Sequence, residues 1–407
     1  MPGSERLRLV LFCHPEFWAG QSMIRFAKML QSSYKARGHD VRVLAPRARC
    51  YNLFLGTRFS KWAGYVDQYL LFPLDIRRAL KDMPSDALFV FCDQALGPWI
   101  PLVAHRPHVV HVHDLLALRS ALGDVPENPT SVTGGIYQRY IRRGFRKASH
   151  FISISNKTRE DLHRFGNVGA VISEVVHNGL AFPYSRLESL DALRILREAG
   201  LPTDERGMLL HVGDGQWYKN RLGIIALYSR YAIQVEDPLP LWFFGRGASE
   251  KEQAALRDLP SNGSVSFFQN VNDRTLQAAY SYARAFLFPS LAEGFGWPLI
   301  EAQACGCPVI TTDEAPMNEV AGAVARYLPR LRQSENLESW VTRGAEALRE
   351  LLFQSAAERS ELSASAIAWA KGFDPDKAID GYISIYRRVL KEYVSEPKME
   401  RKSSDVA

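Results

Sequence analysis

The sequence predicts an α/β protein of two doubly wound, Rossmann-like domains in tandem. Three observations lead there. The chain has 407 residues, 46% hydrophobic and 23% charged, which is globular composition and too long for one ordinary core. Short apolar runs alternate with helical patterns, as in parallel sheets with crossover helices. The alternation then lapses and begins again, so a first domain over 1–182, a linker over 183–205 and a second domain over 206–371 are expected.

In the first domain, 7–13 (LRLVLFC) reads as a buried strand and 20–37 as a helix stopped by Gly38. Strands follow at 41–44, 87–92, 108–112, 151–155 and 171–176, with a helix at 157–165 among the helical patterns between them. In the second, strands are expected at 208–212, 241–244, 265–268, 285–288 and 308–312. Helices are expected near 221–234, 249–257, 273–283 and 298–305. A last helix over 372–394 carries Ile379, Tyr382, Ile383, Tyr386 and Leu390 on one face. Residues 395–407 are polar and read as a flexible tail.

Composition excludes several classes. Five cysteines imply no disulfide framework, and Cys305-x-Cys307 has no second pair to make a metal site. No apolar run reaches membrane-span length, and the N-terminus has neither an h-region nor a small-residue cleavage site. A cytoplasmic protein is therefore expected. Net charge is +6 over the whole chain, and residues 1–182 are markedly basic. The densest cluster is Arg139, Arg142, Arg143, Arg146 and Lys147. Nearby, Trp62, Tyr65, Tyr69 and Phe72 recur at helical spacing. Aromatics beside bases suit an acceptor-side or membrane face, with peripheral contact at an anionic inner plasma-membrane surface. The same residues also suit a core-facing helix with a solvated basic side. No helix-turn-helix, zinc or RNA-recognition signature speaks for nucleic acid.

The chemistry concentrates in strand-to-helix turns. Glu293-Gly-Phe-Gly-Trp-Pro-Leu-Ile-Glu301 follows the strand at 285–288. Gly294 and Gly296 allow backbone amides close to a ligand, and Pro298 suits a helix start, where amides bind anions. Two carboxylates so spaced can accept hydrogen bonds from hydroxyls at two ends of one ligand, as in a sugar and a ribose. The bland alternative is a helix start stabilised by acids. His211-Val-Gly-Asp-Gly-Gln-Trp-Tyr-Lys219-Asn220-Arg221 likewise joins a strand to a helix. His105, His108, His111 and His113 resemble a metal set, but no Cys or Glu completes one at useful spacing. Asp374-Pro-Asp376 follows Gly372 rather than a strand end and reads as a helix entry.

The run EGFGWPLIEAQACGCPVITTD, with its E-x7-E spacing, closely resembles family four (group 1) of the retaining glycosyltransferases with the GT-B architecture. The resemblance runs from about residue 8 to 390 and includes His113-Asp114, His177-Asn178-Gly179 and the opening loop 15–21. It implies two domains facing a central cleft, with the last helix returning to the first domain. It implies transfer of a hexose, mannose favoured, from a nucleotide-sugar such as GDP-mannose or a UDP-sugar. The acceptor would be a glycan or polyprenyl-linked, in polysaccharide or lipopolysaccharide synthesis, with no obligatory metal. Carried over residue by residue, Glu293 and His113 meet the donor sugar, Glu301 the ribose and Lys219 the diphosphate. Gly294, Phe295, Gly296, Leu299, Val271, Asn178, Gly179, Asn220 and Gly20 become donor contacts. The family's Arg after the glycine is Asp214 here, and Arg221 is the candidate substitute cation. A nucleotide-sugar epimerase and a silent binding subunit are the alternatives; sugar isomerisation without acceptor would mark the first, failure to turn over any donor the second.

Overall fold

The computed structural model describes residues 6–18 and 21–395, and divides the chain into two compact units. The first comprises residues up to His177 together with those from Pro375 onward; the second is Asn178–Asp374. The first boundary thus falls five residues before the expected end at 182. Residues 183–205, expected as a linker, carry the helix Ser189–Glu198, which packs within the second unit on the helix Asp273–Tyr282.

The first unit holds a parallel sheet of β1 (Arg8–Phe12), β2 (Asp40–Leu44), β3 (Leu88–Phe91), β4 (His108–Val112), β5 (His150–Ser153) and β6 (Ile172–Val175). Its order is β2-β1-β3-β4-β5-β6. Side chains alternate between faces with period two. Leu9, Leu11, Leu88 and Val90 enter one core, while Val10, Phe12, Phe89 and Phe91 enter the other. The helix Pro375–Ser395 covers the first of these faces with Ile379, Tyr382, Ile383 and Tyr386, as its periodicity predicts, and with Val389, while Leu390 is only partly buried beside them. Burying each such side chain contributes about 1.5–3 kcal/mol. His111 shares that face: its Nε2 lies 2.7 Å from the Tyr386 hydroxyl.

The second unit has β7 (Leu209–Val212), β8 (Leu241–Phe244), β9 (Val265–Phe268), β10 (Ala285–Phe288), β11 (Val309–Thr312) and β12 (Arg326–Leu328). All are parallel, in the order β12-β11-β10-β7-β8-β9. Counted from its own first strand this is 3-2-1-4-5-6, the doubly wound Rossmann order. The order reverses between β7 and β10, and ligands in such sheets bind at the carboxyl ends of the strands flanking that reversal.

Between Trp62 and Phe72 the structure departs from one regular helix. The α-helix Ser60–Val66 passes through a π-turn, Asp67–Leu71, into the helix Phe72–Leu80. The π-turn shifts the helical phase, so the aromatic residues do not share one environment. Phe72 is core, Tyr65 and Tyr69 are half-buried, and Trp62 is 66% exposed. Buried Asp67 explains how the bulge is held: its carboxylate accepts from the backbone N–H of Arg49, Cys50 and Tyr51 at 3.1, 2.9 and 2.8 Å.

Candidate active site

Lys219 and Glu293 come from the loops after β7 and β10, the two strands that flank the order reversal of the second unit. After β7 the chain passes Gly213 and makes a 3-10 turn, Trp217–Lys219. Asn220, left-handed at φ 52°, then sets the start of the helix Arg221–Ile233. After β10 the loop runs through Glu293 to Gly296, whose φ of 95° favours glycine. The helix Trp297–Ala304 follows, with Pro298 in its first turn. The two loops are laced together: Leu291 N donates to Tyr218 O at 2.7 Å, and Asn220 Nδ2 to Pro289 O at 3.0 Å.

Across this lacing Lys219 Nζ donates to Glu293 Oε1 at 2.7 Å, both side chains being about nine-tenths buried. The ammonium also sits 4.6 Å from the centre of the Phe288 ring. Gly213 makes room for the lysine stem, since a Cβ there would stand 3.1 Å from Lys219 Cδ. His211, beneath the loop, donates from Nδ1 to Leu287 O at 2.8 Å. Burial pushes its pKa down to about 3, against that bond and with the help of the nearby Lys219 and Arg221 charges. It is a neutral imidazole.

Glu301, eight residues past Glu293, accepts from the Tyr280 hydroxyl at 3.0 Å through Oε2. Burial raises the Tyr280 hydroxyl well above its ordinary pKa, and the Glu301 charge acts the same way. Trp297 Nε1 donates to Gly179 O at 3.1 Å, bringing Asn178 and Gly179 beside the Gly294–Gly296 loop. Phe295 is buried against Trp297 and Phe373, and Leu299 is fully buried under Gly296. Their side chains therefore support the loop from behind. Val271 lies after β9 on the same edge of the sheet, two strands out from β7.

Two expectations need correction here. Arg221 is not a cation open to a diphosphate. Its guanidinium is 98% buried, 3.1 Å from Glu252 Oε1, donates to Arg246 O at 2.9 Å, and packs against the Phe243 and Phe267 rings. Asn220 is likewise committed through its side chain to Pro289. Asp214, at the position of the expected arginine, accepts from Arg246 N at 3.0 Å. It thereby fastens the tight turn at Gly245, where an added Cβ would meet Gly213 O at 2.4 Å.

In the first unit the order reverses between β1 and β3. There His14, after β1, lies 2.7 Å through Nε2 from Oδ2 of Asp93, after β3. Burial works against the Asp93 charge, yet the His14 bond keeps its pKa below the ordinary carboxyl value. His113, after β4, donates from Nε2 to Cys92 O at 2.9 Å, and its backbone N–H donates to Gln94 Oε1 at 3.0 Å. That leaves Nδ1 as a buried acceptor without a hydrogen-bond partner among the described residues. Burial lowers the His113 pKa, opposed by Asp93. Gly20 lies outside the described residues.

Of the residues expected on the acceptor or membrane side, Trp62, Tyr65 and Tyr69 line a groove of about 760 Å³ with Ile136, Tyr137 and Tyr140. The Tyr69 and Tyr137 hydroxyls are 2.6 Å apart. Arg142 and Arg146 face elsewhere: their Nε atoms donate to Gly166 O and Asn167 O at 3.3 and 2.9 Å. Arg143 is exposed. The sequence reading missed His14, Asp93 and Tyr280. The first two carry a usable signal, since each directly follows a buried strand; Tyr280 carries none, because it sits mid-helix among core residues.

The family profile described as Glycosyl transferase 4-like domain matches residues 23–179, and that described as Glycosyl transferases group 1 matches residues 194–326. The chain is 26% identical to O-antigen chain mannosyltransferase B of Escherichia coli over 240 residues, 56% of this chain and 61% of that one. It is 26% identical to phosphatidyl-myo-inositol mannosyltransferase of Mycobacterium leprae over 374 residues, 84% of this chain and 92% of that one. Sucrose-phosphate synthase from Thermosynechococcus elongatus superposes with a TM-score of 0.69 at 16% identity, covering 95% of this chain and 100% of the other. The fold is GT-B. The chain is related to family-four-like glycosyltransferases, mannosyltransferases among them, and these matches support a hexosyltransferase activity. Among the described residues no helix is long and apolar enough to cross a membrane.

Proposed function

We propose that the chain is a retaining glycosyltransferase that moves a hexose, mannose favoured, from a nucleotide-sugar to a glycan or lipid-linked acceptor in cell-surface polysaccharide synthesis. The observation that carries this reading is the Lys219–Glu293 pair at the strand-order reversal, beside a glycine loop that opens a helix. Leaving-group departure builds negative charge on a diphosphate, and a fixed ammonium with helix-start amides answers that charge without reorganisation. Glu293 orients Lys219 before the donor arrives and accepts from a sugar hydroxyl. Glu301, steadied by Tyr280, takes the ribose. His113, neutral, offers Nδ1 to a sugar hydroxyl.

The supporting comparisons are the mannosyltransferases among the relatives, one of which is named for a phosphatidylinositol acceptor. The aromatic groove of the first unit suits the apolar part of such an acceptor, and its basic surroundings suit an anionic membrane. The test is a thermal-shift screen of UDP, GDP, ADP and their sugars, followed by product analysis with the stabilising donor. Transfer with the anomeric configuration kept supports the reading. Inversion overturns retention, a free sugar isomer formed without acceptor indicates an epimerase, and no stabilisation by any donor overturns the donor site.

A further inference from the structure

The second unit has another polar cavity, at the opposite edge of its sheet. It encloses about 570 Å³ and is lined by Arg186, Arg284, Arg359, Ser281, Ser360 and Ser363 among others. Arg284 immediately precedes β10 and Pro308 immediately precedes β11; both line it, so it lies at the amino ends of strands whose carboxyl ends lead toward the Lys219–Glu293 pair.

Its lining is rich in arginine: Arg284 and Arg359 are half-buried, and Arg186 is exposed at the rim. Arg186 NH1 donates to Ser363 Oγ at 2.8 Å, and Arg359 NH1 to Gln354 O at 2.7 Å. Neither these two nor Arg284 has a carboxylate within ion-pair distance among the described residues, whereas Arg206 on the same wall is matched by Asp204 and Asp237. Among the described residues Glu205 is the acid that lines the cavity; it is exposed and forms no ion pair there. Burial acts first and Arg359 second to pull the Arg284 pKa below its ordinary value.

Two half-desolvated guanidiniums lining one cavity without a counter-ion raise the free energy of the empty site. An anion between them removes both penalties, and planar guanidinium forks with serine hydroxyls match a phosphoryl group, which offers several acceptor oxygens at once. The helices Ser189–Glu198 and Ala356–Ala370 also begin at this wall, but Asp191 and Glu358 in their first turns answer the helix dipoles, so the positive field comes from the arginines.

We infer that this cavity is a second anion site, which takes the phosphate or diphosphate group of a small molecule and is distinct from the donor site. The inference stands independently of the transferase reading. Its chemistry is shared by inorganic diphosphate and by phosphorylated sugars.

Calorimetric titration of the full chain with inorganic diphosphate tests it, with a hexose phosphate as a second arm. In the Lys219→Gln background, which removes the donor site's own diphosphate contact, binding is expected to survive, and to weaken about tenfold or more when Arg284→Gln or Arg359→Gln is added, each of which removes a charged hydrogen-bond donor. Arg284→Lys, which keeps the charge but not the fork, should fall between. Unchanged far-UV spectra and unchanged nucleoside diphosphate binding in the arginine variants establish that they fold. Tighter binding of the hexose phosphate identifies an organic ligand, tighter binding of diphosphate an inorganic one, and either supports the site. No uptake by the parent, equal affinity in the arginine variants, or complete loss in Lys219→Gln would overturn it.

Discussion

The ammonium of Lys219 and the carboxylate of Glu293 meet at 2.7 Å although 74 positions separate them in the chain. Neither charge is at home there alone. Each is about nine-tenths buried, so removing one leaves the other unpaired in a desolvated place. Lys219→Gln should weaken nucleoside diphosphate binding at least about tenfold, since a charged hydrogen bond is worth about 1.5–3 kcal/mol. Glu293→Gln should leave that binding within about threefold while reducing transfer by about a hundredfold or more. Calorimetry and product formation, measured side by side, check the split. Equal loss of binding in both variants would contradict the assignment.

Tyr280→Phe takes one hydrogen bond from Glu301 and leaves the ring in place. Nucleoside diphosphate affinity should fall about tenfold, while affinity for inorganic diphosphate, titrated in the Arg284→Gln background so that the donor site is read, is unchanged. A parallel loss with both ligands would move Glu301 away from the ribose.

Arg221→Met should behave as a stability variant. It strands Glu252 in the interior, which costs about 3–5 kcal/mol. Glu252 also accepts from the backbone N–H of Ser249 at 2.6 Å, so that helix start loosens too. Denaturant titration should show the loss, while the folded fraction binds nucleoside diphosphate like the parent. Selective loss of binding without loss of stability would restore Arg221 to the donor site.

Three histidines set an acid limit on the fold. Burial holds His111 at about 3, His211 at about 3 and His108 at about 4. Unfolded histidine titrates near 6.5. Their stability contribution is therefore complete above about pH 6.5 and is lost progressively as pH falls through the folded values. Each adds up to about 1.4 kcal/mol per pH unit to the slope inside that window. Urea midpoints from pH 8 to 4.5 should stay level to about 6.5 and then drop. His211→Asn should flatten the drop by one histidine's share.

Trp62→Ser tests the aromatic groove. The side chain is 66% exposed, so stability should change by no more than about 0.5 kcal/mol. Co-sedimentation with anionic vesicles should fall, and the salt-resistant part should fall most. Unaltered recovery with vesicles would remove Trp62 from membrane docking.

The strands were legible because parallel strands are buried on both faces and read as unbroken apolar runs. Leu241–Phe244 and Ala285–Phe288 are plain examples. Strand β12 has three residues, one of them exposed, and gave no such run. The E-x7-E spacing was legible because one loop and one helix turn fix both carboxylates locally. Arg221 was not: a cation in a glycine-punctuated turn reads the same whether it faces a ligand or a carboxylate. Its partner, Glu252, is contributed by a different helix. The π-turn at Asp67–Leu71 escaped for a related reason, because what holds it is a set of amides at Arg49–Tyr51 that no local periodicity reveals.

The helix Pro375–Ser395 completes the first unit with side chains encoded after the whole of the second. Until Tyr382 and Tyr386 arrive, His111 and the face made by Leu9, Leu11, Leu88 and Val90 lie bare. The second unit, by contrast, is encoded without interruption and can close before that helix is made. The half emerging first is thus finished second, and its uncovered sheet face must be shielded from other nascent chains in the interval.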